Sequence, residues 1–327
     1  MKIRKKVLNE NNKKIIFTAG PASLLEENLA HIKPCFGRGD PEYLSVEKYV
    51  LNKILKLSGQ SKIARIQGSG SLAIELMVLN FLYGKVLIID TGYYSDRIKL
   101  ITKQAKKNFK YIKVIKSINW KNTNNVSGKF DWIFACPTET SCGLKIPIKS
   151  LYQLKKKTKS KLMLDATASI GLEENHELAD VISFSSCKGL FGLTGACFVA
   201  FKGDIKNEIN SFYLNLYNHL ERKMTGPYHI IYSLYGVLKK YDDFKHAVYI
   251  NKRNFCKKME SYLSLPKINQ PLLCTHVEKK IFSRKKNVIL YKPRNNLAGS
   301  IVCHLGEAHL KKMAKGKILD NLYILDE

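Results

Sequence analysis

Short apolar runs alternate along this chain with longer amphipathic segments, and most of these runs end in small or charged residues. The runs are Lys85–Asp90, Trp132–Cys136, Leu162–Asp165, Val181–Phe184 and Ala196–Phe201. This rhythm predicts an α/β fold in which a mostly parallel sheet is covered by helices on both faces. Ligands bind at the carboxyl edge of such a sheet. Residues that directly follow the runs are therefore the first candidates for a functional site.

Lys188 follows one of these runs in a turn of Ser, Cys and Gly residues. The small neighbours leave room for a flat ring beside the amine, and removal from water favours the neutral, nucleophilic form of an amine. Such an amine can form a Schiff base. Because the chain has 55 Lys and Arg residues, a solvated surface lysine stays open as the alternative when Lys188 is considered alone.

Two further stretches point to the same chemistry. Asp165 ends an apolar run and is followed by small residues, so it can either keep a pyridine nitrogen protonated or cap the next helix. The turn Gly68–Ser71 precedes an apolar segment, residues 72–82, that predicts a buried helix. A glycine-rich turn at a helix N-terminus suits a phosphate group, although a merely flexible turn has the same composition. Turn, carboxylate and lysine in this order predict a pyridoxal phosphate site.

Six stretches of the chain carry a resemblance to a known family. They are Phe17–Pro21, Gly68–Ser71, Asp90–Arg97, Glu139–Gly143, Asp165–Ser169 and Ser185–Lys188. In this order they resemble the class V aminotransferases of the fold-type I pyridoxal-phosphate enzymes, most closely the branch of 2-aminoethylphosphonate–pyruvate and alanine–glyoxylate transaminases. The resemblance implies a large pyridoxal-phosphate-binding lobe over residues 1–240, with an N-terminal arm and a mostly parallel sheet of the seven-stranded type. A small C-terminal α/β lobe is expected over residues 241–327.

The resemblance also implies roles for individual residues. Lys188 is expected to bind the cofactor as a Schiff base and to move the proton, while Asp165 pairs with the pyridinium nitrogen. The further cofactor contacts that it implies are Ser69, Gly70 and Ser71 for the phosphate, Tyr94 for ring stacking, Thr140 near the ring hydroxyl, and Ser186. Without the resemblance, Tyr94 fits equally well as a core aromatic residue and Ser186 as a residue that caps its own turn.

Two positions depart from the family pattern. Cys187 stands where a polar residue usually precedes the lysine. Ile301 falls where an arginine usually binds the substrate carboxylate, when Ser300–Gly306 is aligned on its final glycine; isoleucine cannot make that contact. Either the alignment is off, or the amino donor lacks a conventional carboxylate, or another cation takes over. The candidate substrate contacts are Gly20, Arg38 and Arg294.

The family places its sites at a two-fold interface, so the resemblance implies a homodimer. The segment Lys223–His229 resembles the one that reaches the cofactor phosphate of a neighbouring subunit. Thr225, Tyr228 and His229 are therefore expected to contact the cofactor of the partner.

Composition narrows the function classes. The net charge is +28, but the lysines are spread through nearly every segment, which disfavours a dedicated nucleic-acid surface. Apolar runs long enough for a membrane span and a secretory signal are not evident. The eight cysteines have no CxxC spacing, which disfavours a metal site and a disulfide framework and favours the reducing cytoplasm.

These observations predict a cytoplasmic pyridoxal-phosphate-dependent aminotransferase that exchanges an amino group between a small amine and a ketoacid or aldehyde. An aminophosphonate such as 2-aminoethylphosphonate is the favoured donor. The alternatives are a lyase or desulfurase of the same fold, and a catalytically silent sensor or scaffold, since one fold hosts several functions.

Overall fold

The structure, a computed structural model, describes residues 2–294, 296–306 and 319–324. The α-helices of these ranges are α1 Lys2–Asn12, α2 Glu26–Ala30, α3 Pro41–Ser58, α4 Gly70–Phe81, α5 Tyr93–Asn108, α6 Ile148–Thr158, α7 Leu216–Leu220, α8 Tyr228–Leu238 and α9 Tyr241–Lys258. The strands are β1 Ile15–Phe17, β2 Lys62–Gln67, β3 Gly84–Asp90, β4 Ile112–Asn119, β5 Trp132–Ala135, β6 Thr138–Glu139, β7 Leu144–Lys145, β8 Lys161–Asp165, β9 Val181–Ser185, β10 Ala196–Phe201, β11 Cys274–Val277, β12 Ile281–Ser283, β13 Val288–Leu290, β14 Ser300–Cys303 and β15 Leu322–Ile324.

A seven-stranded sheet forms the centre of the molecule. Its strand order is β2-β10-β9-β8-β5-β3-β4. All neighbouring strands from β9 to β4 run parallel, and β10 is antiparallel to both β9 and β2. The start of β10 therefore lies at the same edge as the carboxyl ends of the other six strands. The predicted α/β fold with a mostly parallel sheet is confirmed.

Both faces of this sheet are buried, as the near-continuous apolar runs predict. In β3, Val86 and Ile88 pack into the core on one face, and Leu87 and Ile89 pack into the core on the other. Successive side chains of a strand point to opposite faces, so a strand covered on both sides must be apolar throughout. The helix α4 is apolar around most of its circumference and lies in one of these two cores.

A smaller assembly of helix α9 and short strands follows the sheet in the chain. Strand β11 pairs with β14, β12 with β15, and the N-terminal strand β1 with β13. A third apolar cluster holds these parts together; its buried members are Phe17, Phe255, Met259, Val277, Ile281, Val302 and Leu322. The lobe boundary that we predict at residue 240 lies one residue before the start of α9.

In the described part of the chain, each helix is too short or too polar to cross a membrane.

Two buried histidines make the fold sensitive to acid. Burial lowers the pKa of His176 to about 4 and that of His304 to about 3. The unfolded chain takes up these protons near the ordinary value of 6.5, so the free energy of unfolding falls as the pH drops below that value. The expected slope is at most about 1.4 kcal/mol per pH unit for each histidine.

Urea unfolding between pH 7 and pH 5 measures this slope. The double variant His176→Gln/His304→Gln should show a flatter pH dependence than the wild type. The exposed His246→Gln serves as the control and should keep the wild-type slope. Equal slopes in all three proteins would contradict the assignment.

Candidate active site

A cavity of about 560 Å³ opens at the carboxyl edge of the sheet. Residues that directly follow β2, β5, β8 and β9 line it, together with the start of α5 and the start of β10. Among the lining residues are Gly20, Ser69, Gly70, Ser71, Tyr94, Arg97, Thr138, Thr140, Asp165, Thr167, Cys187, Lys188, Tyr291 and Arg294. The chain thus brings most of the predicted site residues into one space.

Lys188 lies in the turn after β9, and its ammonium nitrogen is 5.3 Å from the centre of the Tyr94 ring. Gly20 covers the stem of this lysine. Its φ is +132°, and a Cβ added there would lie 3.1 Å from Cγ of Lys188. Only glycine combines this backbone conformation with such a close approach. Gly20 therefore acts on the position of the lysine as well as on the shape of the cavity.

Asp165, the last residue of β8, is buried. Its Oδ1 accepts a hydrogen bond of 3.0 Å from the backbone N–H of Thr167. Burial raises the pKa of Asp165, while hydrogen bonding by Thr167 and the positive charges of Lys188 and Arg97 lower it in part. A buried carboxylate of this kind favours a cationic partner, and a protonated pyridine nitrogen is one.

A buried carboxylate holds the start of α5, the helix that carries Tyr94. Glu139 Oε2 accepts hydrogen bonds from the backbone N–H groups of Tyr94 (3.0 Å) and Ser95 (3.3 Å) at the N-terminus of α5. The Thr91 hydroxyl donates to the same oxygen. A negative charge at a helix N-terminus is favourable because the free N–H groups and the helix dipole point toward it. Glu139 begins one of the six stretches that resemble the family, but the sequence alone did not indicate that it binds the N-terminus of α5.

The Gly/Ser turn Gly68–Ser71 leads from β2 into α4, with Ser69 at the N-cap and Gly70 as the first helical residue. A Cβ added to Gly70 would lie 2.9 Å from the Thr167 hydroxyl, so a larger residue here would displace the Thr167 side chain. The N–H groups of a first helical turn have no acceptor within the helix and suit a phosphate.

The remaining polar lining also fits pyridoxal phosphate. The hydroxyls of Thr138 and Thr140 are buried, and among the described residues neither has a hydrogen-bond partner. Such orphaned groups are costly unless a ligand satisfies them. Together with the aromatic face of Tyr94 and the Gly/Ser turn, they form a site for a flat, phosphorylated and hydrogen-bonding molecule.

Two arginines lie at this cavity. Arg294 donates a hydrogen bond of 3.0 Å to the Tyr93 hydroxyl. Arg97, on α5, donates one of 3.0 Å to the Ser71 hydroxyl and stacks over the Tyr94 ring at 4.9 Å. Sequence reasoning gave Arg97 no role, although it ends one of the matching motifs. Its spacing after Tyr94, three residues along a helix, is the signal that places both side chains on the same face.

Several predicted residues lie elsewhere. The Ser186 hydroxyl donates to the carbonyls of Leu193 and Ala196, within its own turn. Arg38 is exposed and donates to the carbonyls of Arg222 and Lys223. The segment with Thr225, Tyr228 and His229 does not line this cavity. Ile301 is a buried core residue of β14, paired with His276.

The chain is similar in sequence to known transaminases. The 2-aminoethylphosphonate–pyruvate transaminase of Pseudomonas aeruginosa is 22% identical over 254 residues, which cover 70% of this chain and 68% of the relative. The chain is a distant homologue of these transaminases. This homology supports a transaminase activity. No family model matches the chain.

Solved structures show the same fold. The subgroup IV aspartate aminotransferase of Thermus thermophilus superposes with a TM-score of 0.78 at 16% identity, covering 93% of this chain and 97% of that one. The alanine–glyoxylate aminotransferase of Nostoc sp. also gives 0.78 at 16% identity, covering 94% of both chains. The transaminase homologue described here therefore has the fold-type I aminotransferase fold, as predicted.

Asp165 should make the cofactor-free protein less stable at neutral pH. Because burial raises its folded pKa above the ordinary 3.8, its contribution to stability is present below that value and is lost as the pH rises. Asp165→Asn should therefore melt at a higher temperature than the wild type at pH 8, both stripped of cofactor, and the gain should shrink as the pH is lowered. Calorimetry measures this difference. The exposed Asp243→Asn should show no such gain, and a gain independent of pH would exclude the charge of Asp165 as its cause.

Proposed function

We propose that this protein is a pyridoxal-phosphate-dependent aminotransferase that exchanges an amino group between a small amine and a ketoacid or aldehyde. The observation that carries this proposal is the meeting of Lys188, Asp165 and Tyr94 in one cavity beside the Gly/Ser turn. Each residue alone has an ordinary structural interpretation. An amine, a buried carboxylate, an aromatic face and a helix N-terminus in one cavity are together the requirements of this cofactor.

Each of these residues has a distinct task. Asp165 holds a positive charge on the ring nitrogen, because an ionised carboxylate in a buried place is most stable beside a cation. The Tyr94 ring, on a backbone that Glu139 holds in place, would cover one face of the cofactor ring. Lys188 would hold the cofactor through its amine, and once the amino donor has displaced it the neutral amine would take the proton from the donor carbon and deliver it to the cofactor rather than back to that carbon. When bound, pyridoxal phosphate supplies the electron sink that stabilises negative charge on that carbon.

For the amino donor we propose a small amine with an acidic group, and an aminophosphonate is the favoured case. The curated relatives are named for 2-aminoethylphosphonate. Arg294 lines the cavity and supports an acidic substrate, because a guanidinium binds phosphonate or carboxylate oxygens in a bidentate manner. Ile301, at the position where the family usually has the arginine that binds the substrate carboxylate, is a buried apolar residue. This supports a different cation as the substrate contact in this protein.

The protein should purify with, or take up, pyridoxal phosphate and show a visible absorbance band. Lys188→Ala should abolish this band and lower turnover by several orders of magnitude, because no other amine is expected to carry the cofactor. Borohydride reduction followed by peptide mass spectrometry locates the labelled lysine. Amino donors, 2-aminoethylphosphonate first among them, should bleach the band only in the wild type.

The control for this experiment is Lys202→Ala, a lysine outside the cavity, which should behave as the wild type. A label on another lysine would contradict the role of Lys188. Cofactor binding without amine exchange, accompanied by release of sulfide or another cleavage product, would indicate a lyase or desulfurase. Cofactor binding without any turnover would indicate a sensor or scaffold.

We further propose that the enzyme acts as a homodimer. Exposed aromatic side chains support this, since Phe36, Phe212 and Tyr217 are 86%, 63% and 46% exposed. Tyr213, in the same segment, donates to the carbonyl of Gln67 directly before the Gly/Ser turn. A partner that covers this surface would lie beside the cavity, where exposed Thr225 and His229 could contact the partner's cofactor.

Light scattering at micromolar concentration should give twice the mass of one chain. Phe212→Glu/Tyr217→Glu should shift the protein toward monomer and weaken cofactor binding, because charges in an apolar interface are not solvated. Leu100→Glu, at another exposed apolar position (57%), is the matched control and should remain dimeric. A wild-type monomer with full turnover would refute the dimer.

A further inference from the structure

Arg97 occupies the boundary between the aromatic wall of the cavity and the Gly/Ser turn. Its guanidinium carbon lies 4.9 Å from the centre of the Tyr94 ring and 5.5 Å from that of Tyr93. One of its nitrogens donates a 3.0 Å hydrogen bond to the Ser71 hydroxyl, in the first turn of α4. A long side chain from α5 is thus fixed with its charge beside the N-terminus of another helix.

Arg97 forms no salt bridge among the described residues, and the carboxylate on which its charge acts is the buried Asp165 of the same cavity. Arg65 and Lys99, by contrast, have salt-bridge partners, in Glu47 and Asp90 respectively. Desolvating a guanidinium without an anion is costly, and two positive features, the guanidinium and the helix N-terminus, repel each other. An anion bound between the guanidinium and the helix N-terminus would stabilise both.

The residues in the turn after β9 provide few contacts for a phosphate. The Ser186 hydroxyl is engaged with the carbonyls of Leu193 and Ala196. Cys187 has a thiol, which is a weak donor. Lys188 is assigned to the carbonyl carbon of the cofactor. Of the two arginines that line the cavity, Arg97 is the one that contacts the Gly/Ser turn, so it can provide the cation for a phosphate bound there.

We infer that Arg97 binds the cofactor phosphate as a bidentate ion pair, together with Ser71 and the first-turn N–H groups of α4. This inference rests on the proposed function, since it takes pyridoxal phosphate as the ligand. The planar guanidinium of Arg97 can bind two phosphate oxygens at once, which the ammonium group of a lysine cannot do. Arg97 stacks on Tyr94, the residue that we propose contacts the cofactor ring. The contact with the phosphate and the contact with the cofactor ring therefore both depend on Tyr94.

The test compares the binding of pyridoxal 5′-phosphate with that of pyridoxal, which lacks the phosphate. In equilibrium dialysis, Arg97→Met should weaken pyridoxal phosphate binding about 10- to 100-fold and change pyridoxal binding about twofold or less. Arg97→Lys should recover part of the loss, since it keeps the charge but not the fork. Arg294→Met removes another arginine from the same cavity and should leave the affinity for pyridoxal phosphate unchanged while it raises the KM of acidic amino donors.

The outcomes separate the two proposals. If the wild type binds neither compound, the proposed function fails. If the wild type binds pyridoxal phosphate and Arg97→Met binds it equally well, only the inference about Arg97 fails. Unchanged cofactor affinity with a raised donor KM in Arg97→Met would assign the residue to the substrate instead. Equal losses for pyridoxal phosphate and pyridoxal would indicate a distorted ring site and would also overturn the phosphate contact. Circular dichroism of each variant, and the milder Arg97→Gln, guard against loss of the fold.

Discussion

The buried carboxylate of Glu139 connects the parts of the site. It lies after β5 and accepts hydrogen bonds from the N-terminus of α5, which follows β3, and from the Ser141 backbone and hydroxyl. Burial raises the pKa of Glu139, and these hydrogen bonds lower it in part. Without this acceptor, several buried donors would be left unsatisfied at once, which is far more costly than the loss of one surface hydrogen bond. The positions of Tyr94 and Arg97 both depend on it.

The charges in the cavity suit two anionic ligands. The carboxylate of Asp165 lies at the end of β8, and the cations of Lys188, Arg97 and Arg294 lie around it. A phosphorylated cofactor with a protonated ring nitrogen complements both signs, and an acidic substrate can use the remaining cation. The net charge of +28 acts at longer range, where it increases the rate at which anionic ligands arrive and falls off with salt.

The features that were predicted best from the sequence are the strands, which depend on the local pattern of apolar residues. The five apolar runs form β3, β5, β8, β9 and β10, because strands buried on both faces need continuous apolar residues. Strands β2 and β4 lack a continuous apolar run and were not among the predicted strands. Strand β4 is an edge strand that contains lysines, and only part of β2 is buried. Lys188 and Asp165 are predictable because strand ends gather at one edge. Their roles in catalysis stay predictions until they are measured.

Contacts between distant elements were beyond prediction for a physical reason. The hydrogen bond from Arg97 to Ser71 depends on how α5 packs beside α4, and the one from the Tyr94 N–H to Glu139 depends on how the start of α5 meets β6. Neither packing leaves a period or spacing in the sequence. The hydroxyl of Ser186 shows the converse, because the carbonyls of Leu193 and Ala196 in its own turn accept its hydrogen bond.

The place of Ile301 bears on the acidic amino donor that we propose, because that donor would need a cation elsewhere in the chain. Ile301 belongs to the apolar core beside β11 and is 1% exposed. An arginine introduced there would first have to be desolvated, at a cost of several kcal/mol, before it could contribute any binding. Arg294 lies instead in the loop between β13 and β14, is exposed, and is oriented by Tyr93. A cation on a loop loses less on desolvation and adapts to the size of the acidic group, which favours a tetrahedral phosphonate as readily as a planar carboxylate.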